Sequence, residues 1–274
     1  VLTRHALRPL SELEAATERI SAGELSVRVP VHSHDEVGAL AVRFNGMAAQ
    51  LQEQDALRKR LMNDIAHELR TPLTVMQGQI EALQDGVFPL SAENLEPVHG
   101  ETLLLARLVS DLRDLSLAEA GQLALEEIAF DVRDFLEERI AVARQLARNK
   151  SLKVILDFPG VDPLIIRTDP GRLRQILDNL LSNAVKFTDR GEVILEVRQQ
   201  DGQDQHLRLA FAVRDSGVGI PAADLSRIFE RFYKADQSHT VGDGVGLGLA
   251  ISKAIMERHG QSIRLLPQQE GAAF

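Results

Sequence analysis

Cysteine is missing altogether from this chain of 274 residues, which removes disulfide frameworks, thiolate zinc sites and cysteine nucleophiles from consideration. Long apolar runs are missing too, and none reaches the length needed to span a membrane. Basic residues are outnumbered, 31 against 40 acidic ones, and the resulting charge of −9 argues against a broad cationic surface for nucleic acid. Neither a tandem repeat nor a low-complexity tract occurs. What is present, 44% hydrophobic and 26% charged residues, is the balance of a folded chain, long enough for two or three compact units. The opening at Val1 and Leu2 carries no signal peptide, which reads as a fragment with a membrane anchor expected upstream.

Helical periodicity governs the first half. Arg8 to Ala22 places Leu10, Leu13, Ala16, Thr17 and Ile20 at helical spacing, and Gly23 stops the run. Val27, Val29 and Val31 alternate around Pro30 as an extended connector, after which Asp35 and Glu36 open a second helix with Leu40, Phe44, Met47 and Leu51 as its apolar positions. From Gln52 neither glycine nor proline occurs until Pro72, so one long rod is predicted. On its wheel Leu61, Ile65, Leu69 and Leu73 form a stripe, and His67 falls nearly opposite, facing outward. Pro72 is expected to kink the rod just beyond the histidine. The pattern continues to Leu83, is broken by Asp85, Gly86 and Pro89, and resumes after Ser91, a predicted cap for a helix over Ala92 to Ala118. That helix carries Val98, Leu105, Leu108, Leu112 and Leu115, so the pair reads as a hairpin whose exposed leucine predicts dimerisation into a four-helix bundle. Beyond Gly121 the elements are mixed. Leu152 to Phe158 and Val193 to Val197 are strand-like, Leu207, Leu209, Phe211 and Val213 alternate, and helices fall near Phe135 to Arg148, Gly171 to Lys186 and Leu249 to His259. The sum is an α/β sandwich, joined to the hairpin by a hinge at Glu119 to Gln122.

Four clusters carry chemistry. In His67-Glu68-Leu69-Arg70-Thr71-Pro72 an exposed imidazole is followed by a carboxylate able to hold or accept its proton, a pairing that suits a nucleophile as well as an ordinary solvated surface. Asn179, Asn183 and Lys186 recur at helical spacing on one face, where two amides and an ammonium can coordinate a hydrated magnesium ion and neutralise phosphate, or simply form a polar face. Asp215-Ser216-Gly217-Val218-Gly219-Ile220 follows a predicted strand; its carboxylate can accept from an adenine amino group while Gly217 and Gly219 let backbone approach a flat ring. Glycines alternate through Gly242, Gly244, Gly246 and Gly248 into a helix at Leu249, where exposed amides favour phosphate. Neither a Walker loop nor a G-x-G-x-x-G dinucleotide pattern is present. Between the glycine clusters, Arg227 to Lys234 and the polar stretch to Thr240 read as a hinged lid anchored by Phe229 and Phe232, leaving Arg231 or Lys234 to reach a terminal phosphate.

In this order and spacing the clusters resemble the sensor histidine kinases of bacterial two-component systems. His67 to Pro72 resembles the phospho-acceptor box, Asn179 to Lys186 the asparagine box, Asp215 to Ile220 and Gly244 to Leu249 the two glycine boxes, and Arg227 to Tyr233 the phenylalanine box. Upstream, Arg8-Pro9-Leu10, Asp35-Glu36-Val37-Gly38 and Phe44-Asn45 resemble a HAMP relay. The resemblance implies three units: a HAMP-like all-α coil over residues 1–54, a dimerising and histidine-phosphotransfer hairpin over 55–121, and a Bergerat-type α/β ATP-binding domain over 122–274. It implies that His67 attacks the γ-phosphate of ATP with Glu68 as base and that Thr71 orients water for partner dephosphorylation. It further implies that Asn183 holds Mg2+, that Asn179 and Lys186 line the phosphate side and that Asp215 selects adenine. A homodimer, a response regulator whose aspartate receives the phosphoryl group, and an inner-membrane parent with this chain on the cytoplasmic side follow by the same resemblance. Related ATPases place a glutamate where Asn179 stands; an amide cannot activate water, so ATP is expected to be spared for the histidine. Two departures stand out: Val245 replaces a frequent threonine or serine, and the usual final strand is reduced to Glu270 to Phe274. A plain ATPase and a nucleotide-gated scaffold are the rival readings, against which Asn179 and the His67-Glu68 pair respectively argue.

Overall fold

The computed structural model describes residues 2–33, 35–159, 163–201, 207–234, 245–266 and 271–274. They form two compact units, Val1–Thr74 and Val75–Phe274, with one long helix passing from the first into the second.

The first unit begins with α1 (Leu2–Ser21), followed by the extended connector and the start of α2 (Glu36–Gln84). Leu13 and Ala16 of α1, Val27 and Val29 of the connector, and Ala41, Phe44 and Ala48 of α2 bury one another as a small core. The connector is pinned by Asn45, whose side-chain oxygen accepts from the Val29 amide and whose amide donates to the Val29 carbonyl, both at 2.8 Å. Asp35 caps α2, its Oδ1 accepting from the Val37 and Gly38 amides at 3.1 and 3.0 Å. The apolar face expected for α2 needs correction: Leu40, Met47 and Leu51 are exposed, as are Leu10 and Val31, and only Phe44 of the predicted set is buried on that helix. Within one copy, α1 and the connector cover a single narrow side of α2, and the small residues Ala41 and Ala48 permit that approach. α2 runs unbroken through Pro72.

In the second unit α2 ends at a turn and α3 (Ala92–Glu119) follows, capped by Ser91, whose hydroxyl accepts from the Asn94 amide at 3.2 Å. Leu108 and Leu115 are its buried residues. The helix closes with Gly121 past its end, the Gln122 amide returning to the Leu117 carbonyl at 2.8 Å. Thereafter come β1 (Ile128–Asp131), α4 (Val132–Leu146), β2 (Ser151–Asp157), β3 (Ile165–Thr168), α5 (Pro170–Phe187), β4 (Arg190–Asp201), β5 (Leu207–Asp215) and α6 (Gly248–Arg258). β2 and β4 are parallel and β4 and β5 antiparallel, while β1 and β3 form a separate antiparallel pair. Val193, Leu195 and Val197 of β4 alternate inward and are fully buried; with Val154 and Val213 they meet Leu136 and Ile140 of α4, Leu177 and Leu181 of α5, and Ile251 and Ile255 of α6. This is the α/β sandwich that the chain's second half predicts. The short pairs β1 and β3 are additions, four residues each and too brief to show alternation.

The chain's last residues are better integrated than a reduced final strand implies. Phe274 exchanges both backbone hydrogen bonds with Val213 at 3.0 Å, and the Asp215 amide donates to the Ala272 carbonyl at 2.9 Å, so this short segment extends the sheet beside β5. The segment expected as a hinge is bracketed by contacts: the Glu119 carboxylate pairs with Arg231, and Arg258 Nε donates to the Leu123 carbonyl at 3.2 Å.

Asp169 starts α5 and ties it to the loop between α3 and β1. Its Oδ1 caps the Arg172 amide at 3.0 Å and its Oδ2 accepts from the Glu126 amide at 2.9 Å, with the residue only 8% exposed. Burial pushes this carboxyl upward, but the Glu126, Arg172 and Gly171 amides and the Arg172 charge outweigh it and hold the pKa below the ordinary value. A depressed carboxylate stabilises the fold above its unfolded pKa and loses that contribution as pH falls through its folded pKa. Asp169→Ala is therefore expected to cost about 2 kcal/mol at pH 7, with a smaller penalty below about pH 4. Thermal unfolding of both proteins against pH checks this; a penalty independent of pH would contradict it.

Candidate functional site

The second unit's site is built on α5, β5 and α6. α5 buries Ile176, Leu177, Leu180, Leu181, Ala184 and Val185, and this apolar side leaves Asn179, Asn183 and Lys186 along its flank. Asn179 and Asn183 are half-buried and Lys186 is exposed. The Asn179 Nδ2 donates to the Gly248 carbonyl at 3.2 Å, joining the middle of α5 to the first residue of α6. The Lys186 ammonium lies 4.9 Å from the centroid of the Phe187 ring.

At the end of β5 stands Asp215. Its Oδ1 accepts from two backbone amides, Gly217 at 2.9 Å and Ala272 at 3.2 Å. Both bonds fall on one oxygen. The turn that follows requires glycine: a Cβ on Gly217 would sit 2.3 Å from the Phe187 carbonyl oxygen and 2.8 Å from the Thr188 hydroxyl. Ser216 fastens the same turn to β4, its Oγ accepting from the Glu192 amide at 2.9 Å. Gly219 packs beside Gly271. Burial pushes the Asp215 carboxyl upward, opposed by the Gly217 and Ala272 amides and by the nearby Thr188 hydroxyl, which is fully buried and forms no hydrogen bond of standard geometry.

The second glycine cluster leads into α6. Gly246 adopts φ of +77°, and a Cβ there would meet backbone atoms of Phe232 and Tyr233 at 2.9 Å. The Phe232 amide, itself in the left-handed region at φ 58°, donates to the Gly246 carbonyl at 3.0 Å. Gly248 then opens α6 with Leu249 in its first turn, and no side chain caps that helix, so its first amides are suited to an anion. Of the expected lid, Phe229 packs edge-on against Phe274 at 6.2 Å and Phe232 joins the main core, while the Arg231 guanidinium is engaged by Glu119. Lys234 is half-buried. Gly242, Gly244 and the polar stretch 235–240 lie outside the described residues.

The phospho-acceptor cluster sits on α2 in the first unit. His67 and Thr71 are exposed and Glu68 is half-buried. The Thr71 hydroxyl donates to the His67 carbonyl at 3.3 Å, and Pro72, which has no amide to donate, follows within the same helix. Sequence reasoning missed two contributors, the backbone amide of Ala272 and the Ser216 hydroxyl. The first has no side-chain signature at all, and the second lay inside a motif read only for its carboxylate and glycines.

Residues 1–53 match the HAMP domain, 57–121 the His Kinase A (phospho-acceptor) domain, and 168–274 the histidine kinase-, DNA gyrase B- and HSP90-like ATPase. The signal transduction histidine-protein kinase BaeS of Escherichia coli is 37% identical over 94% of this chain and 54% of its own length. The sensor histidine kinase MtrB of Mycobacterium tuberculosis is 31% identical over 100% of this chain and 49% of its own. Among solved structures, the Acinetobacter baumannii histidine kinase AdeS superposes with a TM-score of 0.61 at 28% identity, covering 76% of this chain and 94% of that one. ShkA, solved at full length in complex with AMPPNP, gives 0.57 at 28% identity over 78% of this chain and 44% of that one. The chain belongs to the sensor histidine kinases of two-component systems. It spans about half the length of the curated relatives it matches. No helix among the described residues is long and apolar enough to cross a membrane.

A carboxyl whose pKa is raised on folding binds its proton more tightly folded than unfolded, so the Asp215 charge at neutral pH weighs against folding. Asn at this position keeps an oxygen for the two amides and removes the charge. Asp215→Asn is expected to melt at the same or a higher temperature at pH 7 while binding ATP at least about tenfold more weakly. Calorimetric melting beside an ATP titration checks both; a lower melting point with intact ATP binding would contradict the assignment.

Proposed function

We propose that this chain is the autokinase portion of a two-component sensor: it transfers the γ-phosphoryl group of ATP to its own His67 and then to an aspartate of a response regulator. The observation that carries the reading is the exposed His67 imidazole beside Glu68, on a helix of the phospho-acceptor family and in the same chain as the Asp215 site. An imidazole nitrogen attacks the γ-phosphorus, the bond to the bridging oxygen breaks, ADP leaves, and Glu68 takes the imidazole proton. The nucleotide's adenine amino group donates to Asp215, the backbone at Gly217 and Gly219 flanks the ring, and Lys186, Arg231 and Lys234 supply positive charge toward the phosphates. The first amides of α6, after Gly244 and Gly246, face the same anion with Gly248 and Leu249.

Asn183 fits a magnesium site. It offers one hard oxygen from a half-buried position on the flank of α5, and among the described residues no trio of acidic or histidine side chains converges to cage a metal. Held there by Asn183, phosphate oxygens and water, the ion would neutralise charge on the phosphates.

Dimerisation is supported by apolar surface that one copy leaves open. Leu103, Val109 and Leu95 of α3 are exposed, and an open groove of about 430 Å³ runs beside Gln79, Pro97, Gly100, Leu104 and Arg107. The HAMP match and the sensor-kinase relatives support a membrane-anchored parent whose cytoplasmic part this is. A phosphatase activity is favoured by Thr71, whose exposed hydroxyl lies one turn beyond His67 and can order a water.

Incubation with γ-labelled ATP is expected to give an acid-labile, base-stable phosphoprotein, and His67→Gln to abolish the label; label persisting in that variant would overturn the acceptor assignment. Thr71→Ala is expected to keep autophosphorylation within about twofold while slowing dephosphorylation of the response regulator at least about tenfold. Equal dephosphorylation by both proteins would remove the role given to Thr71.

A further inference from the structure

α5 ends without the usual device. Its C-cap Thr188 is extended, at φ −118° and ψ 117°, and the next residue is Asp189 rather than a left-handed glycine, the first positive-φ glycine being Gly191 three residues on. The acceptors are met instead from a distant part of the chain. The Lys150 ammonium donates to the carbonyls of Val185 at 2.9 Å, Lys186 at 2.8 Å and Thr188 at 3.1 Å, and lies 3.2 Å from the Asp189 carboxylate. A cation at a helix C-terminus also meets the negative end of the helix dipole. Asp189 is 93% exposed, so the carbonyls rather than this ion pair carry the contact.

Lys150 is itself well fixed. Its amide donates to the Ala147 carbonyl at 2.9 Å, closing the turn after α4, and the next residue, Ser151, is in register with Arg190 at the start of the parallel β2–β4 pair. What it holds is the wall of the nucleotide site. Lys186 stands on the turn whose carbonyls are bound, the Phe187 carbonyl accepts from the Val218 amide at 3.4 Å, and Phe187 and Thr188 are the groups that abut Gly217. A shift of this turn would move Lys186 and the Asp215–Gly217 turn together.

We infer that Lys150 is a positioning residue for ATP: its ammonium stands in for the missing cap of α5 and sets Lys186 and the Phe187–Thr188 backbone against Gly217. This rests on the reading of Asp215 and Lys186 as nucleotide ligands. Lys150 touches neither nucleotide nor phosphate in this role, so it acts on binding and not on transfer.

The test uses the whole chain. Lys150→Met keeps the apolar stem and removes the three donors; its KM for ATP and its dissociation constant are expected to rise about tenfold, with the autophosphorylation rate at saturating ATP within about twofold of wild type. Lys150→Arg, which keeps the charge, is expected to recover part of the affinity. Should Lys150→Met not fold, Lys150→Gln is assayed in its place, with an intermediate loss of affinity expected. Unchanged affinity in the folded Met or Gln variant, or a loss of maximal rate with KM unchanged, overturns the inference while leaving ATP binding by wild type in place. Failure of wild type to bind ATP overturns the functional reading and this inference with it.

Discussion

The seating of Gly217 on the last turn of α5 is the contact on which the nucleotide half of this protein depends. With 2.3 Å between a hypothetical Cβ and the Phe187 carbonyl, only glycine permits the approach, and the approach brings the end of β5 beside the flank of α5. Asp215 is then oriented by amides from two directions, Gly217 in its own turn and Ala272 from the chain's last segment. These two hydrogen bonds hold the carboxylate in place before a ligand arrives, while burial pushes its pKa upward against the Gly217 and Ala272 amides and the Thr188 hydroxyl. A preorganised acceptor of this kind discriminates by hydrogen-bond polarity: a partner bearing an amino group is matched, and one presenting a carbonyl oxygen is repelled.

The ATP domain is also attached to α3 by contacts of unequal strength. Asp114 accepts from Arg172 at 2.7 Å and from Gln175 at 3.0 Å with both charged side chains largely shielded, and Leu115 is buried in the same core as α5. The Arg231–Glu119 pair is far more open, with side chains 39% and 42% exposed. Exposed pairs are worth about 1 kcal/mol or less, so this one opens readily. Arg231 is thus a residue with two claims upon it, Glu119 in this structure and a phosphate in the proposed reaction. The Asp114 contact sets the stiffer boundary of any motion.

Much of this was legible in the sequence where local rules operate. Ser91 could be read as a cap because its hydroxyl serves an amide three residues on, and the inward alternation of Val193, Leu195 and Val197 survives intact in β4. The segments around His67, Asn183 and Asp215, singled out by residue type and spacing, fall within the matched phospho-acceptor and ATPase domains. Legibility failed where the determinant is tertiary. Leu40, Met47 and Leu51 satisfy helical periodicity yet stay exposed, because the buried side of α2 is chosen by what packs on it, and α1 packs on alanines. β1 and β3 are too short to declare a period. Lys150 meets acceptors 35 and more residues away, and the Ala272 amide belongs to backbone, so neither leaves a mark that spacing can reveal.

The most direct measurement of the central claim is a parallel titration of the purified chain with ATP and GTP. Adenine carries an amino group at the position where guanine carries a carbonyl oxygen, so in the same pose only adenine presents a donor at that position to the Asp215 carboxylate. The account predicts saturable ATP binding with GTP at least about a hundredfold weaker. Equal affinity for the two nucleotides would contradict it.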